Sequence, residues 1–165
     1  MGHSTHSEAE FLDLLRRAGV ELIADVRRYP GSRRHPHFNA GGLAATLGGA
    51  GIDYAGFSEE LGGRRSPAPD SANAAWRVSA FRAYADHMET PEFGHGLERL
   101  EAAATERRIA VMCAEGEWRR CHRRLISDAL TARSWRVTHL RPDGTFEQHE
   151  LPAFARSQNG QISYG

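Results

Sequence analysis

The chain of 165 residues contains no lysine, only two cysteines and no long apolar run. All 21 basic residues are therefore arginine, and 21 acidic residues cancel their charge. This balance excludes a protein that binds nucleic acid or membrane through its bulk charge, so any charge effect must be local. The arginine count alone is weak evidence, because a GC-rich coding sequence produces it as readily as phosphate recognition does.

The scarcity of cysteine and of apolar runs also bears on the cell compartment. Cys113 and Cys121 are too few for the disulfide framework of a secreted domain. The N-terminus is polar, and no apolar run approaches the roughly 20 residues that span a bilayer. We therefore expect a cytoplasmic protein that does not contact the membrane.

The length fits one domain of ordinary size. Apolar residues make up 40% of the chain, which is enough to form a core. We predict a single domain over residues 1–156, followed by a flexible C-terminal tail over residues 157–165, which lack a core pattern.

Helical and strand patterns alternate along the chain. Ser7 and Glu10 form a capping box that opens a helix ending near Gly19. Further helices are predicted after Asn39 and over residues 79–88, 90–106 and 121–132, and strands over residues 20–26, 52–55 and 109–113. We predict a hairpin from residues 135–140 and 145–149, which flank a turn. We predict loops over residues 27–38 and 61–73, and we expect the second of these loops to act as a mobile lid.

This order of elements predicts an α/β fold with a mainly parallel sheet flanked by helices and an antiparallel hairpin at one edge. Ligands of such sheets bind beyond the carboxyl ends of the strands, where following helices present free N–H groups. Two loops therefore matter most, one from Asp25 to His35 and one from Cys113 to Arg123.

The second loop offers two kinds of cysteine chemistry. Cys113 and Arg119 have the C-x5-R spacing of phosphate-cradling cysteine phosphatases, although Glu115 would place negative charge in that cradle. Cys121 and His122 open a helix, whose dipole lowers a thiol pKa and favours anions. A buried structural cysteine is the competing interpretation of Cys113, and a solvated basic face that of the arginines.

The first loop carries one charged pair and a basic stretch. Asp25 and Arg27 either orient a catalytic group and grip an anion, or form a salt bridge that fixes the loop. Arg33 lies in a basic stretch beside Phe38, which suits phosphates and a stacked base as well as an exposed loop without a ligand.

Several motifs in order resemble the bacterial domain of unknown function 488 family over nearly the whole chain. They are Gly2-His3-Ser4, Asp25-Val26-Arg27 with Pro30 and Ser32, Phe38, Leu61-Gly62-Gly63-Arg64, Cys113-x-Glu115 and Cys121-His122-Arg123. Members of that family usually have a short strand before Gly-His-Ser, so the resemblance implies a truncated N-terminus. It implies a fold and a site but no reaction.

The candidate residues fall into two groups. We expect Cys113, Glu115, His122 and Asp25 to be catalytic, and Arg27, Arg33, Arg119, Arg123, His3, Ser4 and Ser32 to bind an anion. We expect no metal and no cofactor, since Cys121 and His122 are adjacent and a structural zinc site needs four well-spaced ligands.

The leading hypothesis is an anion-binding crevice at the carboxyl end of the sheet, in an enzyme that acts on a phosphate-containing nucleotide or nucleic acid. The alternatives are a non-catalytic binding module for nucleic acid or protein, and a redox protein that uses Cys113 and Cys121. The sequence contains no P-loop and no dinucleotide-binding fingerprint.

Overall fold

A computed structural model describes residues 1–165 and contains five α-helices and seven short strands. The helices are α1 (Glu8–Arg17), α2 (Ala40–Gly49), α3 (Ser79–Met88), α4 (Pro91–Glu106) and α5 (Arg123–Ala132). The strands are β1 (Leu22–Asp25), β2 (Asp53–Gly56), β3 (Ile109–Met112), β4 (Thr138–Leu140), β5 (Phe146–Gln148), β6 (Arg156–Gln158) and β7 (Gln161–Ser163). None of the helices combines the length and apolar character needed to cross a membrane.

A three-stranded parallel sheet forms the centre of the fold. β1 lies between β2 and β3, and all four of its residues are buried, as expected for a strand covered on both faces. α2 connects β1 to β2, and α3 and α4 connect β2 to β3. The carboxyl ends of the three strands, at Asp25, Gly56 and Met112, therefore lie at the same edge of the sheet.

The first residues of the chain extend the sheet beyond β3. Gly2 forms a parallel bridge with Cys113. The amides of His3 and Ser4 donate to the carbonyls of Cys113 and Ala114 at 2.9 and 3.0 Å. This pairing brings His3 and Ser4 to the carboxyl end of the sheet.

Two apolar cores cover the two faces of the sheet. One contains Tyr84 of α3, Leu97 of α4 and Leu125 of α5, and the other contains Phe11 of α1 and Leu43 of α2. Neighbouring residues of β1 contribute to opposite cores, because side chains alternate across a strand.

The N-terminal helix confirms its sequence prediction. The Glu10 amide donates to the Ser7 hydroxyl at 3.3 Å, and the Ser7 amide donates to the Glu10 carboxylate at 2.7 Å. These reciprocal bonds are the predicted capping box and satisfy two backbone donors at the helix start.

The predicted hairpin of β4 and β5 is present and forms a two-stranded antiparallel sheet of its own. The predicted fold class is thus confirmed as a single domain with a parallel sheet, flanking helices and antiparallel hairpins.

The C-terminal residues differ from the flexible tail that the sequence predicts. β6 and β7 pair antiparallel across residues 156–163, and Tyr164 is fully buried. The Tyr164 hydroxyl donates to the buried Asp128 carboxylate of α5 at 2.7 Å. The domain boundary expected at residue 156 falls inside β6, because the Tyr164 ring fixes this otherwise polar segment.

The expected lid over residues 61–73 contains no helix or strand, but α3 holds its second half. Asp86 accepts hydrogen bonds from the Ala68 amide at 3.0 Å, the Ser71 hydroxyl at 2.5 Å and the Asn73 side chain at 3.0 Å. These bonds anchor the loop on the domain.

Candidate functional site at the carboxyl end of the sheet

Most of the sequence-predicted site residues meet at the carboxyl end of the parallel sheet. Asp25 ends β1 and Arg27 follows it, whereas Cys113 and Glu115 follow β3. The remaining members of this cluster are His3, Ser4, His122 and Arg123.

Asp25 and Arg27 form a buried ion pair. The Arg27 side chain donates to Asp25 from Nε at 2.9 Å and from Nη2 at 2.6 Å, and its backbone amide donates at 3.1 Å. The Tyr54 hydroxyl also donates to Asp25, at 2.7 Å, and burial together with this bond raises the Tyr54 pKa above its usual value. Most of the donors of Arg27 and the oxygens of Asp25 are thus occupied within the protein.

His3 completes this polar cluster as a neutral imidazole. Its Nδ1 lies 3.0 Å from the Ser4 carbonyl, which can only accept, so Nδ1 carries the proton. Its Nε2 lies 3.4 Å from Arg27 Nη1, and its ring stacks on Phe38 with centroids 4.2 Å apart. Burial and the Arg27 guanidinium lower the His3 pKa to about 4.

The two cysteines lie against each other between β3 and α5. Their Sγ atoms are 2.7 Å apart, and both residues are buried. The Arg123 amide donates to Cys121 Sγ at 3.5 Å, and His122 Nδ1 lies 3.5 Å from the same sulfur. His122 Nε2 lies 2.9 Å from the Val26 carbonyl, so Nε2 carries the proton and Nδ1 is free to accept one.

The two predicted anion-binding arginines of this region have different environments. Arg123 is buried and donates from Nη2 to the Glu115 carbonyl at 2.7 Å, while its Nε has no partner. Arg119 is exposed and pairs with the carboxylates of Glu117 and Glu147. Arg119 is therefore engaged on the side of β5, and no contact joins it to Cys113 in a phosphate cradle.

Exposed residues of two loops are here called the basic rim: Tyr29, Arg33 and Arg34 follow β1, and Arg64 follows β2. Tyr29 is 65% exposed, and the Arg64 guanidinium lies 5.7 Å from the centre of its ring. Arg33 and Arg34 are also exposed. Ser32 organises the loop after β1, because its hydroxyl accepts from the His35 amide at 2.9 Å.

Three residues of this region were absent from the sequence-based candidates. Tyr54 pairs in register with Ile23 of β1, and only the strand register places it beside Asp25. Tyr29 follows the Asp25-Val26-Arg27 motif directly, so its position was a usable signal. Gly63 packs so closely on His122 that an added Cβ would lie 2.8 Å from Nδ1.

An apolar cavity of about 410 Å³ lies beside the outer edge of β3, and Arg123 is the one member of the cluster that lines it. The lining also includes Ile109, Val111 and Val137. Arg123 therefore lies between the cavity and the carboxyl end of the sheet. No group of three or more His, Cys, Asp or Glu side chains is arranged to hold a metal ion.

Comparison with known proteins identifies the family. A search of curated proteins and a search of solved structures each found no match. The family model described as "Domain of unknown function DUF488" matches residues 7–130, which contain α1, the parallel sheet and both cysteines. The match covers most of the chain, and the protein therefore belongs to the DUF488 family.

Proposed function

We propose that the carboxyl end of the sheet binds a phosphate-bearing ligand of the nucleotide or nucleic-acid class. The observation that carries this proposal is a cluster of exposed arginines without carboxylate partners beside an exposed tyrosine. Arg33, Arg34 and Arg64 form no ion pair; the Arg64 guanidinium lies over the Tyr29 ring, and Tyr29 belongs to the same loop as Arg33 and Arg34. In a chain of zero net charge, this cluster is a local excess of positive charge.

The chemistry of these side chains suits such a ligand. A guanidinium donates two parallel hydrogen bonds to phosphate oxygens. A base stacked on an aromatic ring gains about 1–3 kcal/mol with little dependence on sequence. The rim therefore supplies contacts for both the phosphate and the base of one nucleotide.

The buried arginines take a supporting role in this proposal. Arg27 is occupied by Asp25, so it holds the loop rather than binding the ligand directly. The Nε of Arg123 has no hydrogen-bond partner, so Arg123 is the buried side chain best able to donate to an anion. If the bound ligand is turned over, His122 and Glu115 are the proposed proton carriers, since His122 Nδ1 is free to accept and Glu115 is exposed.

A binding module without turnover would use the same rim, and the exposed Tyr29 ring favours that second candidate equally. Turnover separates the two candidates. Incubation with nucleotides and short oligonucleotides, followed by product analysis, detects an enzyme. Affinity without products identifies a binding module.

The test measures binding of a labelled single-stranded oligonucleotide by fluorescence anisotropy at low and moderate salt. We expect Arg33→Ala and Arg64→Ala to weaken binding and to reduce the slope of log affinity against log salt by about 1 each. Arg16→Ala is the matched control, because Arg16 is exposed on α1 and unpaired. Thermal shifts with phosphate and nucleotides extend the test to small ligands.

Tyr29→Ala separates the two halves of the ligand. We expect it to weaken binding of a nucleotide while leaving inorganic phosphate unaffected. If all rim variants bind as the wild type does, or if no phosphate compound raises the melting temperature, the proposal is wrong.

A further inference from the structure

The thiol pair of Cys113 and Cys121 has a geometry that simple packing does not require. The 2.7 Å between the sulfurs is only about 0.7 Å longer than a disulfide bond. The pair joins the end of β3 to the start of α5, a ten-residue helix. A small movement of either side chain would bring the sulfurs to bonding distance.

The two thiols are chemically unequal. The hydrogen bond donated by the Cys113 thiol lowers the pKa of Cys121, and the Arg123 guanidinium adds to this effect. Burial raises the pKa of Cys113. Cys121 is thus the more acidic thiol of the pair, and Cys113 is the thiol that keeps its proton.

A proton acceptor for Cys121 is already in place. His122 Nδ1 is unprotonated and lies 3.5 Å from Cys121 Sγ. Burial lowers the pKa of His122, so the imidazole is neutral before the reaction. Cys121 and His122 therefore form a nucleophile and base in contact, as in other activated thiols.

We infer that Cys113 and Cys121 are a redox-active pair that reduces a small hydroperoxide, with Cys121 as the attacking thiol and Cys113 as the resolving thiol. Hydrogen peroxide is the simplest oxidant of this class. Both cysteines are less than 7% exposed, so the oxidant must be small, and a protein disulfide is excluded. This activity uses none of the exposed rim arginines, although His122 and Arg123 take part both here and in the proposed phosphate site.

The reaction balances in two steps. Cys121 gives its proton to His122 and attacks one peroxide oxygen, so an S–O bond forms and the O–O bond breaks. The imidazolium returns the proton to the leaving hydroxide as water, which leaves a sulfenic acid on Cys121. The Cys113 sulfur then attacks the Cys121 sulfur, so the S–S bond forms as the S–O bond breaks, and the Cys113 proton joins the leaving hydroxide as a second water. Two thiols lose two electrons, and one peroxide becomes two waters.

The first test treats the full-length protein with one equivalent of hydrogen peroxide at neutral pH. We expect both free thiols to disappear and the mass to fall by two hydrogens, with a monomer on a non-reducing gel. A reduced pair after treatment, or a disulfide-linked dimer, would overturn the inference.

Variants assign the roles of the two thiols. In Cys113→Ser the sulfenic acid has no resolving thiol, so dimedone should trap it at Cys121. In Cys121→Ser we expect no adduct. An adduct at Cys113, or none in either variant when both fold by circular dichroism, would contradict the assignment.

His122→Asn tests the proton acceptor. We expect oxidation to slow by about tenfold or more, because a positioned base contributes at least that much. His95→Asn is the matched control, since His95 is exposed on α4, and its rate should equal that of the wild type. An equal rate in both variants refutes the role of His122.

A wild-type measurement covers the case in which the serine variants do not fold. Iodoacetamide applied to the native protein over a pH series should modify Cys121 first, with a midpoint below the ~8.5 of a free thiol. Earlier modification of Cys113 would overturn the assignment. The peroxide assays contain no phosphate compound, and phosphate binding is measured on the reduced protein, so failure of phosphate binding and failure of this inference are distinguishable.

Discussion

Replacing Asp25 by asparagine tests whether the charged pair after β1 supports the fold or performs chemistry. The carboxylate accepts hydrogen bonds from Arg27 and Tyr54 in a site where Asp25 is fully buried. The asparagine side chain has one acceptor oxygen, so its NH2 group would face a donor. Arg27, which is 6% exposed, would become a buried cation without a counterion.

The expected loss follows from the cost of breaking a buried ion pair, about 3–5 kcal/mol. At about 2–4 °C per kcal/mol for a domain of this size, the melting temperature should fall by roughly 6–20 °C. Urea unfolding followed by circular dichroism measures the change directly. Adding Arg27→Met to Asp25→Asn should restore much of the stability, because an apolar side chain then replaces the unpaired charge.

A different outcome would refute this reasoning. If Asp25→Asn unfolds within ~1 kcal/mol of the wild type, below the range for a broken buried pair, the ion pair does not hold the loop. If Asp25→Asn instead abolished turnover of a phosphate-bearing ligand while the free energy of unfolding stayed unchanged, Asp25 would have a direct role in that turnover.

Three further changes probe other parts of the domain. Tyr164→Phe removes the hydroxyl that donates to the buried Asp128, and urea unfolding should show a loss of about 1.5–3 kcal/mol; an unchanged value would mean that the C-terminal hairpin is not fixed by this bond. Burial and the neighbouring His149 imidazole lower the His139 pKa to about 3. As the pH drops from about 6.5 towards 3, the unfolded state therefore binds a proton that the folded state does not, and the free energy of unfolding should fall. His139→Gln should flatten that slope in urea titrations, and an unaltered slope would contradict the assignment. Gly63→Ala places a Cβ 2.8 Å from Nδ1 of His122, so it should slow thiol oxidation by hydrogen peroxide. Gly94→Ala places a Cβ where no atom lies within 4 Å, so it should leave the oxidation rate unchanged.

The sequence predicted elements whose signals are local. The spacing of Ser7 and Glu10 indicates the capping box of α1, and a run of apolar residues indicates the buried strand β1, so both elements were predictable. The placement of the two central loops at one end of the sheet followed from the parallel strand order.

Features that depend on contacts between distant residues were not predictable. β6 and β7 carry mostly polar, exposed residues, and their position depends on Tyr164 reaching Asp128, 36 residues earlier. Tyr54 reaches Asp25 only through the register of two strands. The spacing of Cys113 and Cys121 leaves their distance open, because the path of the intervening loop decides it.

The ion pair after β1 also separates folding from recognition. Asp25 and Arg27 satisfy each other within the domain and Arg28 pairs with Glu59, whereas the exposed Arg33 and Arg34 that follow form no ion pair. Exchanging Arg33 and Arg34 for other residues should therefore alter the proposed ligand binding while β1 stays in place. The residues proposed to contact a ligand are therefore separate from those that hold the sheet, so the first group can change without a loss of stability in the second.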